Sequence, residues 1–362
     1  MQFIDLKTQY SRYQSEIDAR MQTVFQHGRF IMGPEIAELE AQLAAYAGVP
    51  HAITVASGTN SLEIALRALD VGPGDEVITV PFTWISTAES IRLVGATPVF
   101  VDICAADFNI DVDQIEAVIT PRTKAIMPVS LFGQMPDYSR INAIASRHGL
   151  SVIEDAAQSF GATRNDRRSG GVTRIASTSF FPAKPLGCYG DGGALFTSDD
   201  SLAETMRAIR SHGGLQRHHH PLLGMNGRFD TLQAAVLLAK LPHFDWEVKQ
   251  RNAFGARYSD RLREVVRVPE VMPGNTHVYA QYTIRIPERD AVAAVLKEQG
   301  IPTAVYYPKC LHEQPVFAAC GRPGDFPVAE QASREVLSLP MHPFLSESDQ
   351  DAVVAAIRSA VS

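Results

Sequence analysis

What most constrains this chain is the repeated alternation of short β-branched runs with helix-patterned stretches. His51-Ala-Ile-Thr-Val55 reads as a strand, Ser57-Gly-Thr-Asn60 as a turn, and Leu62-Glu-Ile-Ala-Leu-Arg-Ala-Leu69 as the helix that follows. Val77-Ile-Thr-Val80, Pro98-Val-Phe-Val101, Ala125-Ile-Met127 with Val129, and Ser151-Val-Ile-Glu154 have the same texture of buried strands. Gly72-Pro-Gly-Asp75 and Gly95-Ala-Thr-Pro98 mark turns between them. Such alternation implies βαβ units and an α/β fold with a mostly parallel central sheet flanked by helices. Thr178-Ser-Phe-Phe181 and Ala194-Leu-Phe-Thr197 bracket a glycine-rich stretch and are expected to pair as strands.

The texture changes after an apolar helix, Thr231 to Leu241, that stops at Pro242. A charged helical stretch (Glu247 to Val265), a strand (Tyr279 to Arg285), a helix (Asp290 to Gln299) and a proline-rich segment follow. The chain has 362 residues, and single cores stop growing at roughly 250–300 residues. Two domains are therefore expected: 1–240, large, and 241–362, a smaller α+β unit.

With 33 Lys and Arg against 40 Asp and Glu, the net charge is −7 and the basic residues are scattered. That excludes the basic stripe on which nucleic-acid binding depends. No run reaches the ~18–20 apolar residues of a membrane helix. Met1-Gln-Phe-Ile-Asp-Leu-Lys7 carries charge at once, unlike a secretory signal. Cys104, Cys188, Cys310 and Cys320 form no CxxC pair and read as free thiols. The expectation is a soluble, cytoplasmic protein.

Four features could carry chemistry. Ser57-Gly58-Thr59, between a strand end and a helix start, offers backbone amides to a phosphate, although an ordinary N-cap has the same look. Glu154-Asp155-Ala-Ala-Gln158 closes an apolar strand, where carboxylates point into the crevice of an open sheet. Asp155 could there hold a protonated ring nitrogen, or merely cap a helix. Ser179-Phe-Phe-Pro-Ala-Lys184-Pro-Leu-Gly187 places a lysine between two prolines, outside any regular helix or central strand. Partial desolvation there favours the neutral amine that a Schiff base requires. Gly187-Cys-Tyr-Gly190-Asp-Gly-Gly193 matches neither GxGxxG nor a P-loop and is assigned no ligand. Together, a lysine, an acidic partner for a pyridine nitrogen and polar groups for a phosphate meet the demands of pyridoxal 5′-phosphate (PLP).

These segments also make the chain recognisable. From Phe3-Ile-Asp-Leu6 through Leu339-Pro-Met-His342 it resembles the DegT/DnrJ/StrS family of sugar aminotransferases, which share the aspartate-aminotransferase-like fold, PLP fold type I. Ser179 to Gly193 and Val278-Tyr-Ala-Gln-Tyr-Thr283 give the nearer likeness, to bacterial enzymes that aminate UDP-2-acetamido-2-deoxy-3-oxo-glucuronic acid.

The resemblance implies that Lys184 is the Schiff-base lysine and proton carrier, that Asp155 holds the pyridinium proton, and that Gln158 contacts the ring's 3-oxygen. It implies phosphate contacts from Gly58, Thr59 and Ser179, and a ring stacked on the cofactor from Trp84. In Gly224-Met-Asn226-Gly-Arg228, Asn226 would reach the phosphate in the neighbouring subunit's site, implying a homodimer with shared sites. Arg228 would clamp a substrate carboxylate. Tyr306, Tyr307 and His312 match the segment lining the sugar-nucleotide cleft. Relatives acting as dehydratases carry histidine in place of the lysine, so Lys184 points to transamination.

The implied reaction moves the amino group of L-glutamate to a UDP-linked keto sugar, giving a 3-amino sugar nucleotide for surface polysaccharide such as O-antigen. Another nucleotide-linked keto sugar, of the 4-keto-6-deoxy type, remains an alternative substrate. A ligand-sensing regulator is the alternative of another class. His218-His-His220 lacks metal-ligand spacing, and no metal is expected.

Overall fold

The computed structural model describes residues 1–361. In chain order its first elements are α1 (Leu6–His27), α2 (Pro34–Ala47), β1 (His51–Val55), α3 (Gly58–Ala68), β2 (Glu76–Thr79), α4 (Ser86–Leu93) and β3 (Thr97–Phe100). Next come β4 (Thr123–Ile126), α5 (Tyr138–His148), β5 (Ser151–Asp155), the short β6 (Thr163–Arg164) and β7 (Arg167–Arg168), β8 (Ile175–Ser179) and β9 (Gly193–Thr197). The chain continues through α6 (Asp200–Arg210), α7 (Thr231–Lys240), α8 (Phe244–Leu262), β10 (Tyr282–Arg285) and α9 (Arg289–Glu298). It ends with α10 (Pro327–Glu335), β11 (Val336–Leu339) and α11 (Glu347–Val361).

The central sheet has seven strands in the order β1-β9-β8-β5-β4-β2-β3. Every pairing is parallel except those of β9, which runs antiparallel to both β1 and β8. The expected pairing across the glycine-rich stretch is present, with Thr178 opposite Ala194. The parallel strands carry apolar runs because both sheet faces are covered. Ile53, Leu62, Ile64, Val77, Ile153 and Leu195 fill one face. Leu39, Leu43, Phe160, Phe180, Phe196 and Phe229 fill a second cluster with α2 and α7.

A second core lies toward the C-terminus. There β10 and β11 pair antiparallel, and Tyr282, Ile284, Leu296, Leu337, Val353 and Ile357 bury one another. Helix α8 joins the two: Phe244 packs with Phe160, while Tyr258 and Leu262 pack in the second core. Residue 240, where the boundary is expected, is the last of α7, and Tyr307, Cys310 and Val336 from beyond it pack with Ile78, Phe82 and Ile126.

Tyr279 to Gln281 is not extended, so the expected strand starts only at Tyr282. Tyr279 has φ of 44° and stacks on His277 with centroids 4.0 Å apart. A left-handed backbone cannot continue a strand. Among the described residues, no helix is long and apolar enough to cross a membrane.

Candidate active site

The sheet's topology decides where chemistry can sit. Strands β5 and β8 are parallel neighbours, and both deliver polar residues at their carboxyl ends, Asp155 and Ser179. These ends and the start of α3 open on a cavity of about 450 Å³. Its walls include Gly58, Thr59, Trp84, Asp155, Gln158, Ser179, Lys184, Tyr306 and Tyr307. Nine candidate residues from five separate segments are thus brought together.

The helix start is shaped for an anion. Ser57 caps α3, its Oγ accepting from the Asn60 amide at 3.1 Å. The amides of Gly58 and Thr59 lie in the first turn, where the helix provides no acceptor. Thr59 Oγ1 lies 2.8 Å from Ser86 Oγ. A Cβ on Gly58 would stand 2.8 Å from Ser179 Cβ, so only glycine lets α3 approach the end of β8 this closely. Amides, hydroxyls and the positive end of a helix dipole suit a phosphate.

The acidic end is buried and fixed. Asp155, 5% exposed, accepts from Thr87 Oγ1 at 2.9 Å and from the Ala157 amide at 3.2 Å. Burial pushes its carboxyl above the ordinary value, while Thr87, Ala157 and the Lys184 charge pull the other way. Glu154 faces away from the cavity. It accepts from Ser169 Oγ at 2.6 Å, the Gly170 amide at 2.9 Å and Ser130 Oγ at 3.3 Å. Burial raises it to about 7.

Lys184 sits in the loop after β8, its backbone amide donating to Phe181 O at 2.8 Å. Burial lowers its ammonium's pKa, and Asp155 opposes that. Gln158 is clamped at both ends: Nε2 donates to the Tyr307 hydroxyl at 3.0 Å, and Oε1 accepts from the Phe132 amide at 2.7 Å. Trp84, 58% exposed, stands at the cavity wall with its ring centroid 6.2 Å from that of Tyr307.

Three candidates are elsewhere. Asn226 bridges to Ser211 on an exposed stretch, and Arg228 Nε donates to Asn226 Oδ1 at 2.9 Å. Neither lines the cavity of its own chain. His312 is buried and is not among the residues lining the cavity. Its ring is 2% exposed, packs on Phe326 at 4.8 Å and meets Glu330 Oε1 at 3.1 Å. The short turn Leu311–Glu313 buries Leu311 with Phe317.

Sequence reasoning missed Thr87, Asp191 and Gln281, which hold Asp155 or line the cavity. Thr87 was within reach, since Pro81-Phe-Thr-Trp-Ile-Ser-Thr-Ala88 puts three hydroxyls beside Trp84. The glycine-rich stretch is explained by close packing. A Cβ on Gly192 would stand 2.4 Å from the Phe229 ring, and one on Gly193 2.7 Å from the Ser57 backbone. His218 to His220 lie exposed on a loop, with His220 Nδ1 2.9 Å from His212 O.

A lysine and a buried carboxylate in one cavity, with an anion-ready helix start, at the strand ends of this sheet define an enzyme of the PLP fold type I class. Residues 11–358 match the DegT/DnrJ/EryC1/StrS aminotransferase family, and the chain belongs to that family. The UDP-2-acetamido-2-deoxy-3-oxo-D-glucuronate aminotransferase of Pseudomonas aeruginosa is 51% identical over 99% of this chain and 99% of its own. A "pleiotropic regulatory protein" of Geobacillus stearothermophilus is 50% identical, covering 98% of this chain and 96% of its own. The crystal structure of DesV from S. venezuelae, in complex with a ketimine intermediate, superposes with a TM-score of 0.97 at 40% identity, covering 99% of this chain and 97% of that one.

Proposed function

We propose that the protein is a PLP-dependent aminotransferase that moves the amino group of L-glutamate to the C3 keto group of UDP-2-acetamido-2-deoxy-3-oxo-glucuronic acid. The product is the 3-amino sugar nucleotide, a precursor of surface polysaccharide. The observation that carries the reading is the meeting of Lys184, Asp155 and the α3 start in one cavity. The name of the Pseudomonas aeruginosa relative, at 51% identity, supports the sugar.

The residues fit the cofactor. The Gly58 and Thr59 amides, with the Thr59 and Ser179 hydroxyls, would hold its phosphate. Asp155, kept in place by Thr87, would hold a proton on its ring nitrogen. Gln158 would face its 3-oxygen, and Trp84 would cover one ring face. When bound, pyridoxal phosphate supplies an electron sink for the carbanion formed at the substrate carbon. Burial lowers the pKa of the Lys184 ammonium, which favours the neutral Nζ that proton transfer needs. Its Nζ takes the proton from the α-carbon of glutamate and, in the second half-reaction, delivers one to the sugar carbon.

Asn226 and Arg228 do not line the cavity of their own chain, so a homodimer is proposed in which each pair completes the neighbouring site. Arg228 would then clamp a carboxylate, from glutamate or from the uronate. Tyr306 and Tyr307 would border the sugar nucleotide.

Incubation with glutamate and a panel of UDP- and dTDP-linked keto sugars tests the substrate. The 3-oxo-uronate should give the highest kcat/KM. A 4-keto-6-deoxy sugar turning over faster would replace this substrate while leaving the chemistry intact. The regulator reading draws on the name of the Geobacillus stearothermophilus relative. It requires DNA or partner binding without turnover, against a net charge of −7.

A further inference from the structure

Behind the lysine loop, away from the cavity, lies a buried cation that the proposed chemistry does not use. Lys240, the last residue of α7, is 2% exposed and is not a cavity residue. Lysines are almost never this buried unless paired. Its Nζ donates to the carbonyl of Gly187 and sits 5.3 Å from the centre of the Tyr189 ring.

Gly187 is three residues past Lys184, in the same tight loop. A Cβ on Gly187 would stand 2.4 Å from Pro182 O and 2.7 Å from Phe181 O, so the loop folds onto itself. The loop closes through Lys184 N to Phe181 O and Cys188 N to Phe180 O, both at 2.8 Å. Pro182 and Pro185 remove two further donors from it. The Lys240 ammonium therefore supplies an anchor that the loop's own backbone lacks.

A buried carboxylate favours the charged form of this anchor. On α8, Glu247 is 2% exposed and accepts from Gln9 Nε2 of α1 at 2.9 and 3.0 Å. Burial lowers Lys240 to about 8, with Glu247 and the Cys188 thiol favouring its charged form and Arg251 opposing it. One turn beyond Glu247, Arg251 donates to Tyr279 O at 3.0 Å and Met341 O at 3.3 Å, at the edge of the second core.

We propose that Lys240, backed by Glu247, is a positioning residue that fixes the loop carrying Lys184 and so sets where the Lys184 Nζ stands relative to Asp155. This rests on the proposed covalent role of Lys184.

The test compares wild type with Lys240→Met, which keeps length and packing but removes the donor. One readout is independent of the cofactor: hydrogen exchange at the Lys184 and Cys188 amides should speed up by about tenfold or more as the loop opens locally. The second is the pH titration of the visible band formed by Lys184 with pyridoxal phosphate. Its midpoint should move by about one pH unit, because the amine's distance to Asp155 changes. A merely structural defect lowers the folded fraction without moving that midpoint. Glu247→Gln should act in the same direction with a smaller shift, and carries the test if Lys240→Met does not fold. Wild-type exchange and midpoint in the variant overturn the proposal, as does faster exchange with an unmoved midpoint. If wild type takes up no cofactor, the reading of Lys184 falls; the exchange arm then decides separately whether Lys240 holds the loop.

Discussion

At the residue scale, burial and hydrogen bonding decide what each ionisable group can do. His277 is pushed down to about 3 by burial, so the folded chain keeps it neutral where an unfolded chain, near 6.5, takes a proton. Its contribution to stability is therefore complete above pH 6.5 and is lost as pH falls from there toward 3. The loss runs at about 1.4 kcal/mol per pH unit. His277→Gln, which keeps an acceptor for the Tyr279 amide, should lose about 2 kcal/mol less than wild type between pH 7 and pH 5 in denaturant unfolding. Equal losses would contradict the assignment. Little of this is legible in sequence. Lys184 and Asp155 stand out because their neighbours are unusual: two prolines for one, a strand end for the other. His312 did not reveal its burial, because Phe326 and Glu330, which hold it, come from a separate stretch of chain.

At the element scale, what matters is how closely α3 approaches β8. Gly58→Ala would drive a methyl to within 2.8 Å of Ser179 Cβ, displacing the helix start that faces the cavity. Overpacking of this kind costs about 1–3 kcal/mol. Cofactor affinity, measured by absorption titration, should fall by about tenfold, equivalent to roughly 1.4 kcal/mol. Unchanged affinity would remove the α3 start from the proposed phosphate site. The elements themselves were mostly readable, because strand runs such as Ser151 to Glu154 and the α7 stretch ending before Pro242 follow hydrophobic period and proline position. Tyr279 was misread as strand because its left-handed backbone arises from tertiary packing beside Gly133, whose Cβ position lies 2.7 Å from the Tyr279 amide. No local pattern encodes that approach.

At the scale of the whole molecule, distant segments complete one another. The Met341 amide donates to Phe3 O at 3.2 Å, tying the start of the chain to the second core. Trp84 and Phe181 line the cavity and are more than half exposed. If sites are shared, mixing inactive Lys184→Ala with inactive Asn226→Ala/Arg228→Ala subunits should restore activity through heterodimers that contain one intact site. No recovery after verified subunit exchange would contradict sharing. The parallel sheet and the lysine–aspartate pair were visible in sequence; the separation of Asn226 and Arg228 from their own cavity was not, because it depends on how α6, α7 and their connecting loop fold. The central claim is that Lys184 and Asp155 operate pyridoxal phosphate in transamination. Its most direct test is the visible absorption of the protein loaded with pyridoxal phosphate, before and after L-glutamate, in wild type and Lys184→Ala. The account predicts a visible band in wild type that glutamate bleaches to a near-ultraviolet band, and no such conversion in the variant. A wild-type protein that stays colourless with the cofactor, or a variant that bleaches like wild type, would contradict it.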